Sequence, residues 1–171
     1  MEHILRPVHV KQLNDNSFSL LEDEWMLITA GNKENYNTMT ASWGAFGVLW
    51  NKPVAICFIR PQRFTFAFMN KSQSFTLSFF ESKYKAELNQ IGNTSGRFTN
   101  KIEKSKFTPV FTKNDTIYFQ EARLVMECRK IYIHDLQPDN FIQPGLIDDI
   151  YPTGDFHRMF IGEILHCLTS E

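Results

Sequence analysis

A closed or nearly closed antiparallel β-barrel is the fold class this sequence predicts. Three observations carry it. Short apolar runs with period-two alternation recur along the chain, separated by turn chemistry. Helical windows are few and short. Phenylalanine is abundant, 16 of 171 residues, and suits strands and tight packing. Many strands with few short helices favour a barrel. Alternation by itself does not separate a barrel from a sandwich.

Residues 1–23 form a mixed lead-in, expected as an arm lying on the body. Trp25–Ala30 is short, apolar and rich in strand formers, Gly31–Asn35 is turn chemistry, and Tyr36–Ser42 resumes extended structure, which predicts a hairpin. Alternation puts Thr38, Thr40 and Ser42 on one face of its second strand. Gly44–Asn51 holds two glycines with Phe46 and Trp50 and reads as a loop or an irregular strand. Val54–Ile59 is a continuous apolar run bounded by Pro53 and Arg60, as expected of a strand buried on both sides.

Arg63–Asn70 fits two periods. Phe64, Phe66 and Phe68 alternate like a strand, while Phe64, Ala67 and Phe68 share a helical face. Ser74–Phe80 alternates again, as a half-buried strand. Tyr84–Gly92 predicts a helix of about two turns closed by Gly92. Residues 93–97 read as loop. Phe107–Phe111 and Thr116–Phe119 are short β pieces around a Lys113-Asn114-Asp115 turn. Ala122–His134 is the longest strand candidate. Its apolar phase shifts between Cys128 and Ile131, which predicts a bulge or burial on both faces at one end. Gln137–Gly154 holds three prolines and two glycines and is expected as mostly loop, and His157–Leu168 as the last strand.

Composition narrows the functional classes. Length suits one domain, expected over 1–171. At 43% hydrophobic and 22% charged the chain can build a core. A net charge of −1 argues against nucleic-acid binding by phosphate neutralisation. No apolar run reaches the roughly 18 residues a membrane span needs. Met1–Pro7 lacks an apolar h-region, so no secretory signal is expected. Cys57, Cys128 and Cys167 lie far apart in apolar runs with neither a CxxC pair nor a zinc pattern, which predicts buried reduced thiols in a cytoplasmic protein.

Chemistry concentrates between Tyr36 and Thr65. A strand end carrying hydroxyls, an amide and an indole meets an apolar strand that ends in Arg60-Pro61-Gln62-Arg63-Phe64-Thr65. Hydroxyls and two arginines at a strand-to-helix junction make a phosphate cradle, since guanidinium forks match phosphate oxygens and a helix start adds free N–H groups.

The same stretch resembles the flavin reductase-like family, flavoredoxin branch. The resemblance rests on Asn37-x-Met39-Thr40-x-Ser42-Trp43, Pro53, and Ile59-Arg60-Pro61-x-Arg63-x-Thr65. Ser74–Ser78, Ser95-Gly96-Arg97 with Lys101, and Phe160–Ile164 are further similar pieces. Together they run from about Trp25 to Leu165. The resemblance implies an FMN-binding split β-barrel and a helix after Pro61.

It also implies roles. Arg60 and Arg63, with Pro61 and Thr65, would hold the FMN phosphate. Asn37, Thr38, Met39, Thr40, Ala41, Ser42 and Trp43 would face the isoalloxazine, with hydroxyls and backbone N–H groups on its pyrimidine edge. Ser95, Gly96, Arg97 and Lys101 form a loop whose cations would favour anionic reduced flavin. His157, after the Pro152–Asp155 turn, would face the ligand. No side chain need act as an essential acid or base, no acidic spacing demands a metal, and no GxSxG, Walker or GxGxxG motif occurs, so a nicotinamide would bind without a Rossmann unit.

The expected function is therefore an oxidoreductase that passes electrons from NADH or NADPH through FMN to a second acceptor. A flavoredoxin-type carrier reduced by a protein partner is the alternative, and a non-redox barrel that keeps only the cradle is a third. Spare apolar residues, Phe46, Leu49 and Trp50 and the Phe141–Tyr151 loop, predict a homodimer whose partner helps cover the flavin.

Overall fold

A computed structural model describes residues 4–170; residues 1–3 and 171 of the expected domain lie outside the described residues. The described residues form ten strands: β1 (Arg6–Val8), β2 (Met26–Gly31), β3 (Tyr36–Ala41), β4 (Gly44–Leu49), β5 (Lys52–Ile59), β6 (Ser74–Phe79), β7 (Pro109–Phe111), β8 (Ile117–Phe119), β9 (Leu124–Asp135) and β10 (Arg158–Thr169). Four short α-helices interrupt them: α1 (Ser17–Ser19), α2 (Phe64–Lys71), α3 (Lys85–Asn93) and α4 (Leu146–Ile150).

One antiparallel sheet runs β3-β2-β6-β9-β10-β5-β4, with β1 also paired to β10, and β7-β8 is a separate hairpin. The two ends of that path, β3 and β4, are neighbours in sequence and are joined by Ser42-Trp43. The sheet thus curls almost into a closed barrel with a seam at that connection. This is the antiparallel split β-barrel expected. The lead-in is tied down through Arg6↔Thr169 to Val8↔Cys167.

Burial explains why the strands read as they do. β2 is buried along nearly its whole length because Met26 and Ile28 face the barrel interior while Leu27 faces a second cluster outside it. The interior holds Met39, Cys57, Ile59, Phe75, Leu77, Phe79, Met126, Cys128 and Phe160. The outer cluster seats Leu88 and Ile91 of α3 against Val125 and the Phe80-Phe107-Phe119 rings. Each large apolar side chain so buried contributes about 1.5–3 kcal/mol. All three cysteines are buried and unpaired.

Three expectations change. Gly44–Leu49 is a regular strand, β4, turning into β5 through Trp50 and Asn51, both at positive φ (51° and 58°). Two consecutive left-handed residues give the twist a tight hairpin needs, and no glycine marks the turn. Gly92 does not close its helix, which runs to Asn93. Its place is set by contact: a Cβ there would lie 3.3 Å from Thr40 Cβ on β3. β6, expected half-buried, is buried on both faces, Thr76 and Ser78 included. Residues 137–154 are mostly loop, as expected, with one short helix, α4. The phase shift is a bulge: Tyr132 pairs with Ile161 and Lys130 with Gly162, leaving Ile131 over. Gly162 is required there, since a Cβ would lie 2.6 Å from Phe75 Cζ and 2.8 Å from Cys128 Cβ.

Candidate functional site

Two chain reversals meet at the seam. β3 ends at Ala41 and Ser42-Trp43 cross to β4. β5 ends at Ile59, and Arg60–Arg63 turn into α2, the Arg63 N–H donating to the Arg60 carbonyl at 3.1 Å. Between them Met39–Trp43, Phe58, Arg60, Arg63 and His157 line a cleft of about 190 Å³. Ser42, Trp43, Phe58 and His157 also belong to an adjoining groove of about 510 Å³. The Ser42 hydroxyl has no protein partner among the described residues, and Trp43 is half exposed beside the His157 ring, centroids 5.1 Å apart.

The two arginines differ. Arg60 is engaged: Nη1 lies 2.6 Å from Asp155 Oδ2, Nη2 donates to the Ile150 carbonyl at 2.9 Å, and its guanidinium lies over the Tyr151 ring. Among the described residues Arg63 meets only a backbone carbonyl, Gly92 O at 3.2 Å. Lys101 is 6% exposed and donates to the carbonyls of Ile91 and Thr94, both at 3.2 Å. Neither Arg63 nor Lys101 has a carboxylate within 4 Å among the described residues. Burial lowers the pKa of Arg63, and burial followed by the Arg63 charge pushes Lys101 down to about 8. Two adjacent cations, Lys101 buried and Arg63 partly buried, with only carbonyl dipoles for partners among the described residues make a site that an anion would stabilise.

Arg60 instead anchors the segment before β10. Asp155 also accepts from Gln62 Nε2 and, at 2.9 Å, from Thr153 Oγ1, and its carboxyl is held well below the usual range, chiefly by Arg60. His157 is 7% exposed, with Nδ1 2.8 Å from the Tyr151 hydroxyl. Burial, then the Arg60 charge, pushes His157 down to about 4, so the imidazole is neutral at pH 7.

The remaining expected residues sit beside the cleft. Thr38 and Thr40 share the β3 face away from the barrel interior. Thr38 is fully buried and donates to the Ile28 carbonyl at 3.2 Å; Thr40 lines the cleft but donates to Leu88 O at 2.5 Å. Asn37 Nδ2 donates to Thr65 Oγ1 at 2.6 Å, which ties β3 to the start of α2. Gly96 lies against Asn37 and Phe64 so closely that a Cβ would overlap the Asn37 amide. Ser95 Oγ accepts from Arg97 N at 3.3 Å, and the Arg97 guanidinium lies 5.7 Å from the Phe64 ring centre. Pro61 is an exposed turn residue.

Sequence reasoning missed Phe58 and Asp155. Phe58 faces the cleft from within a uniformly apolar run, where alternation gives no signal. Asp155 lies in a turn whose acidic spacing gives no signal; only its partner Arg60, distant in sequence, marks it.

The family model described as "Flavin reductase like domain" matches residues 19–171. No curated protein matches the chain. Solved structures match at low identity. An FMN-binding domain of a flavin reductases-like enzyme from Shewanella baltica is 15% identical, with 99% of this chain and 79% of that one covered and a TM-score of 0.72. An FMN-binding protein from Thermus thermophilus with bound 1-cyclohex-2-enone is 18% identical, covering 96% and 80%, TM-score 0.69. Flavoredoxin of Desulfovibrio vulgaris is 20% identical, covering 94% and 76%, TM-score 0.66. At these identities the likeness is one of fold.

Proposed function

The chain belongs to the flavin reductase-like domain family, and we propose that it is a flavin-dependent oxidoreductase that binds FMN at the barrel seam. The observation that carries the proposal is the pair Arg63 and Lys101, two cations without a carboxylate beside a cleft that offers a hydroxyl and an indole. A bound FMN supplies the hydride and electron transfer. The protein's own groups bind and orient. Arg63 and Lys101 hold the phosphate, joined by the uncapped N–H groups at the start of α2. Ser42 and the backbone of Ala41–Trp43 meet the polar edge of the ring. Trp43, Phe58 and the neutral His157 wall the cleft and keep water from it.

Reduced nicotinamide is the proposed donor, and a carrier reduced by a protein partner is the competing reading. NADH and NADPH oxidation measured with FMN present separates them: turnover supports the reductase, and its absence from a flavin-loaded protein supports the carrier. A purified protein without flavin absorbance that also fails to bind added FMN overturns both.

The cleft alone is shallow. We propose a homodimer in which the partner covers it. Val48, Trp50 and Tyr132 are exposed, with Trp50 and Tyr132 in ring contact, and Ile142 is 96% exposed on the loop before α4. Sedimentation equilibrium is the test, and a monomer that still holds FMN tightly sinks the idea.

A further inference from the structure

Burial along β9 leaves one carboxylate without a counter-charge. Met126 and Cys128 face the barrel interior, so alternation turns Glu127 between them to the outer face, beneath the β7-β8 hairpin. Glu127 is only 7% exposed and forms no ion pair among the described residues. Its two oxygens differ. Oε1 accepts from Thr116 Oγ1 at 2.7 Å, from Asn114 Nδ2 at 3.2 Å and from Thr112 Oγ1 at 3.3 Å, all donors from the hairpin's turn. Oε2 accepts nothing among the described residues. A carboxylate taken out of water is costly unless its charge is matched, and neutral donors match it only in part.

Glu127 lines a groove of about 290 Å³ between the hairpin and strands β1 and β10, which shares no lining residue with the seam cleft or the groove adjoining it. His166, its cross-strand partner on β10, and Tyr118 of β8 line it too, and Pro7, Val10 and Pro53 supply apolar wall. Among the described residues that line it Glu127 is the only acid, and no lysine or arginine is present. With its histidines neutral the groove is therefore negative. The ligand set of a metal ion is missing, since no group of three His, Cys, Asp or Glu side chains among the described residues could hold one. An organic ammonium needs less. One carboxylate oxygen gives it a charge-assisted hydrogen bond, an aromatic ring favours the cation, and apolar wall takes the carbon chain.

We propose that this groove binds a small primary amine in its ammonium form, the N–H donating to Glu127 Oε2 and the carbon chain lying against Val10 and Pro53. Small-molecule sites usually run to about 300–1,000 Å³, so a groove at the lower limit sets the ligand at a few carbons. The site is independent of the flavin reading.

The probe is n-butylammonium chloride, in mildly alkaline buffer, where an ordinary imidazole is neutral and a primary amine still charged. The backbone amide resonances of Thr116–Tyr118 and His166 are followed. Saturable shifts are expected that neither potassium chloride at equal ionic strength nor n-butanol, the neutral counterpart, reproduces. Glu127→Gln keeps an oxygen for the three donors but removes the charge. It should bind butylammonium about ten- to a hundredfold more weakly at a nearly unchanged melting temperature. No saturable shift in wild type, equal shifts with butanol, or equal affinity in the variant overturns the proposal. Should Glu127→Gln not fold, His166→Lys decides. Its ammonium, at an exposed position opposite Glu127, should fill the cation position and abolish the butylammonium shifts, and unaltered shifts overturn the site. A lysine of a second copy would offer the same group, and sedimentation equilibrium separates the two. Assembly unchanged by butylammonium supports the small amine, and a dimer that butylammonium dissociates overturns it.

Discussion

Arg60 and Asp155 form a 2.6 Å ion pair that fastens the end of β5 to the residues just before β10, and Arg63, three residues on, has no acidic partner among the described residues. One arginine of the motif therefore ties two segments together, while the other keeps a charge without an acidic partner, as the proposed phosphate contact requires. Substitution should tell them apart. Arg63→Ala should weaken FMN by about 1.5–3 kcal/mol, roughly ten- to a hundredfold, and leave riboflavin nearly unchanged, because only the phosphate contact is lost. Arg60→Ala should weaken both flavins alike by loosening the cleft wall. Fluorescence titration of both ligands is the measurement; equal losses with Arg63→Ala place the phosphate elsewhere.

Lys101 predicts a pH dependence. With a pKa lowered to about 8 in the free protein, the amine is charged at neutral pH and loses its proton above 8. An anion bound beside it raises that pKa again, so binding takes up a proton. FMN affinity should be constant below about pH 8 and fall above it, towards a tenfold loss per pH unit until the bound-state pKa is reached. Lys101→Met should bind FMN more weakly and flatten this profile. A profile identical in the variant refutes the role.

His157 works in the opposite pH range. Its folded pKa of about 4 lies below the ordinary 6.5, so the unfolded chain binds the extra proton first. Stability from this group is fully present above pH 6.5 and is lost as pH falls towards 4, by an amount of up to about 3 kcal/mol. His157→Gln should reduce the acid sensitivity of the denaturation midpoint between pH 4 and 6.5. Tyr151→Phe should cost about 1 kcal/mol by removing the 2.8 Å hydrogen bond.

Two hydroxyls of one motif should also part company. Thr40→Val deprives the Leu88 carbonyl of its 2.5 Å donor and should destabilise the fold by about 1–3 kcal/mol. Ser42→Ala breaks no protein hydrogen bond and should leave the melting temperature unchanged while shifting flavin affinity or reduction potential. Unchanged affinity and potential with Ser42→Ala show that the hydroxyl faces solvent.

Much of the barrel was legible because its signals are local. The phase slip near Ile131 depends on residues a few positions apart and took the expected form; alternation in Ser74–Phe80 marked the strand but not its burial, because Thr76, on the polar face, is buried too and donates to the distant Ile117 carbonyl. β4 was hidden because Gly44 and Gly47 carry no strand preference; only pairing with β5 makes it regular. The division of labour between Arg60 and Arg63 could not be read, since it depends on Asp155, 95 positions from Arg60. Thr38, expected to face a ligand, shows the same limit: alternation places it on the Thr40 face but does not say that Ile28 and Thr29 already occupy its hydroxyl.

The position of β10 has a consequence for how the chain assembles. It is the last strand of the described chain, yet it lies between β9 and β5 and also pairs with β1. During synthesis the β4-β5 hairpin emerges early but meets its principal neighbour only when residues 158–169 arrive. Until then two strand edges of the growing chain stand open, on β5 and on β9. Pairings across such separations form late and slowly. Folding should therefore follow release of the C-terminal strand, and ribosome-held chains stopped before Arg158 should remain protease-sensitive at Lys52–Ile59.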